Sequence, residues 1–190
     1  MKTNAMKNLT FLICLFSCFT SIQAQVIDYQ KDLIFKDSSY TALFTGHIKT
    51  YDAEGNLYMS STVLNGKRHG LVMFYFKSGK LHQWLHYKNG IIDGQIVIYN
   101  ELGKVELRGN SVNGQNDGEF YRYYPNGQIE YKGNCVKGLK EGEWVYYYEN
   151  GKIHGKGKYK NEKEIGVWIY NNDENTWSTG SVNYDLVGMK

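Results

Sequence analysis

The chain has 190 residues, a formal charge of +3 and three cysteines. A balance this close to neutral lacks the basic excess that phosphate contacts demand, so no nucleic-acid partner is expected. Only one stretch is markedly apolar, and it is too short to cross a bilayer as a helix, which takes about 20 residues.

That stretch opens the chain. In MKTNAMKNLTFLICLFSCFTSIQAQ, Lys2 and Lys7 precede an apolar run from Leu9 to Phe19, and small and polar residues follow up to Ala24. The pattern predicts a signal peptide over residues 1–24, cleaved after Ala24, and a product in the periplasm, at the cell surface or secreted. Lipidation at Cys18 is the less favoured alternative, because the preceding Leu15-Phe16-Ser17 puts a bulky ring at the middle position. Cleavage removes Lys2 and Lys7 and no acid, lowering the charge from +3 to +1 over the remaining 166 residues. Cys14 and Cys18 leave as well, so Cys135 is the one thiol left and no intramolecular disulfide can form.

Residues 25–42 are expected to cap the N-terminal end of a repeat array over residues 43–171. Gly46, Gly70, Gly94, Gly118, Gly142 and Gly166 recur every 24 residues and are read as structural turn glycines. A second series, Gly55, Gly79, Gly103, Gly127 and Gly151, lies nine residues behind the first, and a third, Gly66, Gly90, Gly114 and Gly138, lies twenty behind and ends at Glu162. Asn precedes glycine at five of these places, in both the second and third series, and Asn-Gly favours tight hairpin turns. Two turns per unit imply two strands per unit.

The segments between turns read as strands. Glu143 to Tyr148 is aromatic and β-branched, and in the next segment Ile129, Tyr131, Gly133 and Cys135 alternate with Glu130, Lys132 and Asn134. Tyr51, Tyr75, Tyr99, Tyr123 and Tyr147 hold one repeat position and form a structural aromatic row able to stack along the array. Gly109, Gly133 and Gly157 share another position, which would leave room for rings from a neighbouring strand. Hairpins pairing edge to edge give an all-β fold, one elongated antiparallel sheet of about twelve strands and about 55 Å. The glycine register lapses over residues 172–190, the expected C-terminal cap, where Asn172 to Asn175 would turn into a last strand from Trp177 to Tyr184.

The runs Gly118-Glu119-Phe120, Tyr123-Tyr124-Pro125-Asn126-Gly127-Gln128-Ile129 and Lys132-Gly133 resemble the MORN-repeat variant family, as do Gly142-Glu143-Trp144 and Tyr147-Tyr148-Glu149-Asn150-Gly151-Lys152-Ile153. The resemblance extends over roughly residues 43–171 and is nearest to the bacterial antitoxin-like MORN-variant proteins. It implies a sheet of repeated hairpins and a role in protein scaffolding or membrane-lipid contact.

Candidate sites are weighed against the repeat. Arg108, Lys132 and Lys156 share a position and should form a cationic row spaced about 10 Å, beside Glu106 and Glu130 on the same outward face. This row is the candidate surface for an anionic partner. Glu106 and Glu130 could also be read as the carboxylate pair of a hydrolase, but their position is Tyr58, His82 or His154 elsewhere, so no catalytic residue is assigned. Cys135 belongs to the apolar alternation and reads as a core thiol. His82 and His86, four apart on a strand, would sit about 13 Å apart, so no metal is expected from them or from His47, His69 and His154. No cofactor is expected. The function read from the sequence is an exported, non-enzymatic interaction or scaffold module with a protein partner. Anionic lipid or glycan binding is the alternative, and a glycan-directed hydrolase is the least favoured.

Overall fold

The computed structural model describes residues 12–13, 25–28, 33–35, 42–172 and 176–182. The signal-peptide reading therefore falls almost wholly outside the described residues, as do the turn at 173–175 and Tyr184. Three short strands, β1 (Leu12–Ile13), β2 (Gln25–Asp28) and β3 (Leu33–Phe35), pair in that order into a small antiparallel sheet. The array comprises β4 (Gly46–Tyr51), β5 (Leu57–Leu64), β6 (Lys67–Tyr75), β7 (Leu81–Lys88), β8 (Ile91–Tyr99) and β9 (Val105–Val112). It continues through β10 (Gln115–Asn116), β11 (Gly118–Tyr123), β12 (Ile129–Val136), β13 (Leu139–Tyr147), β14 (Ile153–Lys160), β15 (Lys163–Asn172) and β16 (Thr176–Val182). From β4 to β16 every strand pairs with its neighbour in sequence, a meander of twelve strands with β10 as a short extra segment on β9.

The two Asn-Gly series make different turns. Asn65 and Gly66 both take positive φ, 49° and 75°, and link Leu64 to its partner Lys67 in a two-residue loop. Asn89, Asn113, Lys137 and Asn161 repeat this at φ of 50–53°, so Lys137 and the Glu162 that follows Asn161, at φ 66°, take left-handed backbone without the usual residue. In the other series only the glycine turns left-handed, and the Gly127 amide bonds the Tyr124 carbonyl across a three-residue loop. There the asparagine acts through its side chain, Asn126 Oδ1 accepting from the Gln128 amide at 2.8 Å.

The series Gly46 to Gly166 is not at hairpin turns, which corrects its reading as turn glycine. Gly70 lies inside β6, where three residues oppose Thr62 alone, and Gly94, Gly142 and Gly166 lie at matching irregularities inside β8, β13 and β15. Positive φ, 79° at Gly70, lets the strand bulge and bend there.

Each bulge clasps the hairpin turn of the unit after it. The Gly90 amide donates to the Arg68 carbonyl, Gly114 to Ile92, Gly138 to Asn116 and Glu162 to Lys140. The residue just before each glycine of this series adds a side-chain acceptor: Thr45 for the Asn65 amide, His69 for Asn89, Asp93 for Asn113, Asp117 for Lys137 and Glu141 for Asn161. At the next repeat the position is Ile165, which has no acceptor, and the series stops. At the N-terminal end Ile34 of β3 docks on the first turn, its amide bonding the Gly66 carbonyl while its side chain packs with Ile48 and Val63.

One sheet face is the buried one, and its packing is a volume exchange between paired strands. Phe120, Trp144 and Trp168 rest on Gly109, Gly133 and Gly157, where a Cβ would fall within 2.4, 2.2 and 2.2 Å of the ring. The glycines do make room for rings, as their spacing predicts. In the N-terminal half the ring positions are Val72 and Ile96, and their partners are Ser61 and Leu85. Val72 on Ser61 repeats the exchange of large for small, whereas Ile96 meets Leu85, of its own volume, on one side and Gly109 on the other.

Gly133→Ala should overpack the contact and cost about 3 kcal/mol in urea unfolding. Gly133→Ser combined with Trp144→Val, which copies the Ser61–Val72 pair, should recover part of that loss. Lys137→Asn should raise stability by about 0.5–1 kcal/mol by relieving left-handed backbone, read as a higher denaturation midpoint at unchanged slope.

Candidate binding face

The face opposite the core carries both rows singled out from the sequence. On it Arg108 pairs across strands with Val97 and Tyr121, Lys132 with Tyr121 and Val145, and Lys156 with Val145 and Ile169. Cations thus alternate with apolar or aromatic residues along the ribbon, and strand spacing sets successive cations about 10 Å apart. Arg108 lies over the rings of Tyr121 at 4.3 Å and Tyr123 at 5.9 Å. Lys132 and Lys156 form no ion pair among the described residues. A shallow groove of about 650 Å³ runs beside these two lysines, floored by Val145 and Ile169, lined also by the cross-strand pair Glu143 and Lys158, and walled only by β12 to β15.

Tyr51, Tyr75, Tyr99, Tyr123 and Tyr147 share this face but do not stack on one another among the described residues. Equivalent positions are two strands apart, about 10 Å, too far for ring contact. Three of the rings instead meet local partners: Tyr99 accepts from the Trp84 indole at 3.2 Å, Tyr75 reaches the Met73 sulfur at 3.6 Å, and Tyr123 lies near the Arg108 guanidinium.

Glu106 and Glu130 are not beside the cationic row. Register shifts between Arg122 and Tyr123 and between Ile98 and Tyr99 leave each as a bulged residue, which turns its side chain to the core face. There both bind Arg122, Glu130 at 3.1 Å and Glu106 at 3.3 Å. Two carboxylates committed to one guanidinium serve as its counterions, and the row across the sheet is left without them. Simple alternation could not reveal this, because one extra residue reverses the side.

Cys135 is buried beside Phe120, Trp144 and Trp168, and burial pushes its thiol above the usual range. The histidines are dispersed. His82 stacks near Phe76, His154 near Tyr148, His47 bonds Ser60, His86 bonds the Asp93 carbonyl and His69 accepts from a turn amide. Among the described residues no group of three metal-ligating side chains comes together.

Sequence reasoning passed over Lys140 and the aromatic cluster around it. Its Nζ lies among the rings of Trp144, Tyr146 and Tyr159, and it donates to the Tyr146 hydroxyl at 3.1 Å. The signal available was the column Lys140, Glu164 in the 24-residue register, a reversal of charge where Trp144 and Tyr146 recur as Trp168 and Tyr170.

Comparison with known proteins agrees with this geometry. Residues 68–89, 116–135 and 140–161 match the family model described as MORN repeat variant, and each match spans parts of two adjacent strands and the turn between them. These three segments are similar to MORN-variant repeats. The MORN matches cover units from both the aliphatic and the aromatic half of the sheet. No curated protein matches the chain. Among solved structures it is similar at 12% identity to the GtfA/B complex bound to UDP and GlcNAc, over 62% of this chain and 23% of that one, with a TM-score of 0.26. It thus spans about a quarter of that chain's length. A protein of unknown function from Bacteroides fragilis is similar at 10% identity over 72% of this chain and 90% of that one, with a TM-score of 0.17.

Native Cys135 should resist an aromatic disulfide reagent at pH 8 and react fully once urea unfolds the chain. Labelling that is as fast in the folded protein would contradict its place in the core.

Proposed function

We propose that the protein is an exported, non-enzymatic interaction module that holds a protein partner on the face bearing Arg108, Lys132 and Lys156. MORN repeats are generally protein- or membrane-binding modules, which makes binding the first class to consider. The observation that carries the reading is the groove beside Lys132 and Lys156. Lys132, Lys156 and Lys158 outnumber the single carboxylate of Glu143 around an apolar floor, the first two form no ion pair among the described residues, and only the strands that form the floor wall it. Such a surface complements a partner that presents carboxylates around an apolar centre. Export is inferred from residues 1–24 and would place that partner in the envelope or outside the cell. An antitoxin-like role would require the partner to be an exported toxin.

Affinity capture from the envelope fraction tests the proposal. The mature protein should retain a discrete protein partner, and the variant Arg108→Glu, Lys132→Glu, Lys156→Glu should lose it. Flotation with anionic vesicles that disappears on the same charge reversal would assign the face to a membrane surface instead. Glycan hydrolysis abolished by Glu106→Gln or Glu130→Gln would overturn the non-enzymatic reading.

A further inference from the structure

Lys140 shows how this sheet holds an ammonium group. Its Nζ is 4.7 Å from the ring centroid of Trp144, 4.9 Å from Tyr159 and 5.7 Å from Tyr146. Ring faces carry negative potential, so three of them around one cation form an aromatic cage. Twenty-four residues later Trp144 and Tyr146 recur as Trp168 and Tyr170, but Lys140 is replaced by Glu164.

A cavity of about 290 Å³ opens at that second position. Tyr146 and Tyr159 line it together with Trp168 and Tyr170, and Glu164 and His154 complete the wall. Trp168 meets Tyr159 edge-on at 5.1 Å and stacks with Tyr170 at 5.9 Å, so ring faces and edges are fixed before any ligand enters. Glu164 forms no ion pair among the described residues.

A hydrogen-bond chain joins the filled cage to this cavity. Lys140 donates to the Tyr146 hydroxyl at 3.1 Å, Tyr146 and Tyr159 share a bond at 3.3 Å, and Tyr159 donates to Glu164 Oε1 at 3.2 Å. Burial, aided by the bond to Tyr146, holds the Tyr159 phenol far above its usual range, so it remains a neutral donor. The positive end of the chain is enclosed by rings. The negative end lines the cavity.

We infer that this cavity binds an organic ammonium group, supplied from outside where the preceding repeat supplies its own lysine. Rings provide the quadrupole and Glu164 the charge, a combination that favours an alkylated cation over a hydrated metal ion. The site lies on the core face and does not depend on the cationic groove across the sheet.

Titration monitored by indole N–H resonances tests the site, because the chain has four tryptophans and the Trp168 indole N–H has no acceptor. Tetramethylammonium and n-butylammonium should each shift the Trp168 signal saturably, whereas the uncharged 3,3-dimethylbutan-1-ol should bind at least about tenfold more weakly. Tighter binding of n-butylammonium would assign the natural ligand to lysine side chains, and tighter binding of tetramethylammonium to quaternary amines. Glu164→Lys should fill the cavity from within and abolish the shift. If that variant does not fold, Glu164→Gln should weaken binding about tenfold while leaving the other indole signals in place. Equal binding of the uncharged compound, or full binding by Glu164→Gln, would overturn the inference.

Discussion

The clasp between one unit's bulge and the next unit's turn is the contact on which the array depends. A hairpin alone buries too little to persist, and a two-residue turn leaves amide groups facing outward. The bulge answers both needs at once. Its carbonyl and the side chain before the glycine take two amides from the next turn, so each hairpin is held in register by its predecessor. The spacing of 24 residues is the chain length from one bulge to the equivalent point of the next hairpin. Where the acceptor becomes Ile165, the clasp and the repeat end together.

Packing on the core face depends on that register. Because strand pairing fixes which residues meet, the volume at one position sets what its neighbour can be, and glycine under tryptophan is the extreme case. The N-terminal half meets the same constraint with Val72 against Ser61 and Ile96 against Gly109. The aromatic half gains wide ring surfaces as a result, and these rings enclose Lys140 and line the cavity beside Glu164. A device for filling a single-layer sheet thereby produces sites able to hold cations.

Bulges also decide which face some of the charges occupy. On the core face the carboxylates of Glu106 and Glu130 are turned inward by bulges and bound by Arg122. Their absence from the other face leaves Arg108, Lys132 and Lys156 beside aromatic and aliphatic neighbours. A module with a cationic groove on one side and an aromatic, acid-lined cavity on the other can engage two chemically different groups without competition between them.

Much of this was legible in the residues alone. The period, two strands per unit, the twelve-strand meander and the rings seated on Gly109, Gly133 and Gly157 come from glycine spacing and alternation, which are local properties of the chain. The last strand was also foreseen at Trp177, and β16 begins one residue earlier at Thr176. Other features depended on tertiary structure. Whether Asn-Gly makes a two-residue turn or a three-residue loop, whether Gly70 turns the chain or bulges it, and which face receives Glu130 all depend on how a strand pairs with its neighbours. The tyrosine row shows the same limit: a shared repeat position is not a shared contact, because identical positions lie two strands apart. Sequence determined what recurs; strand pairing decided what touches.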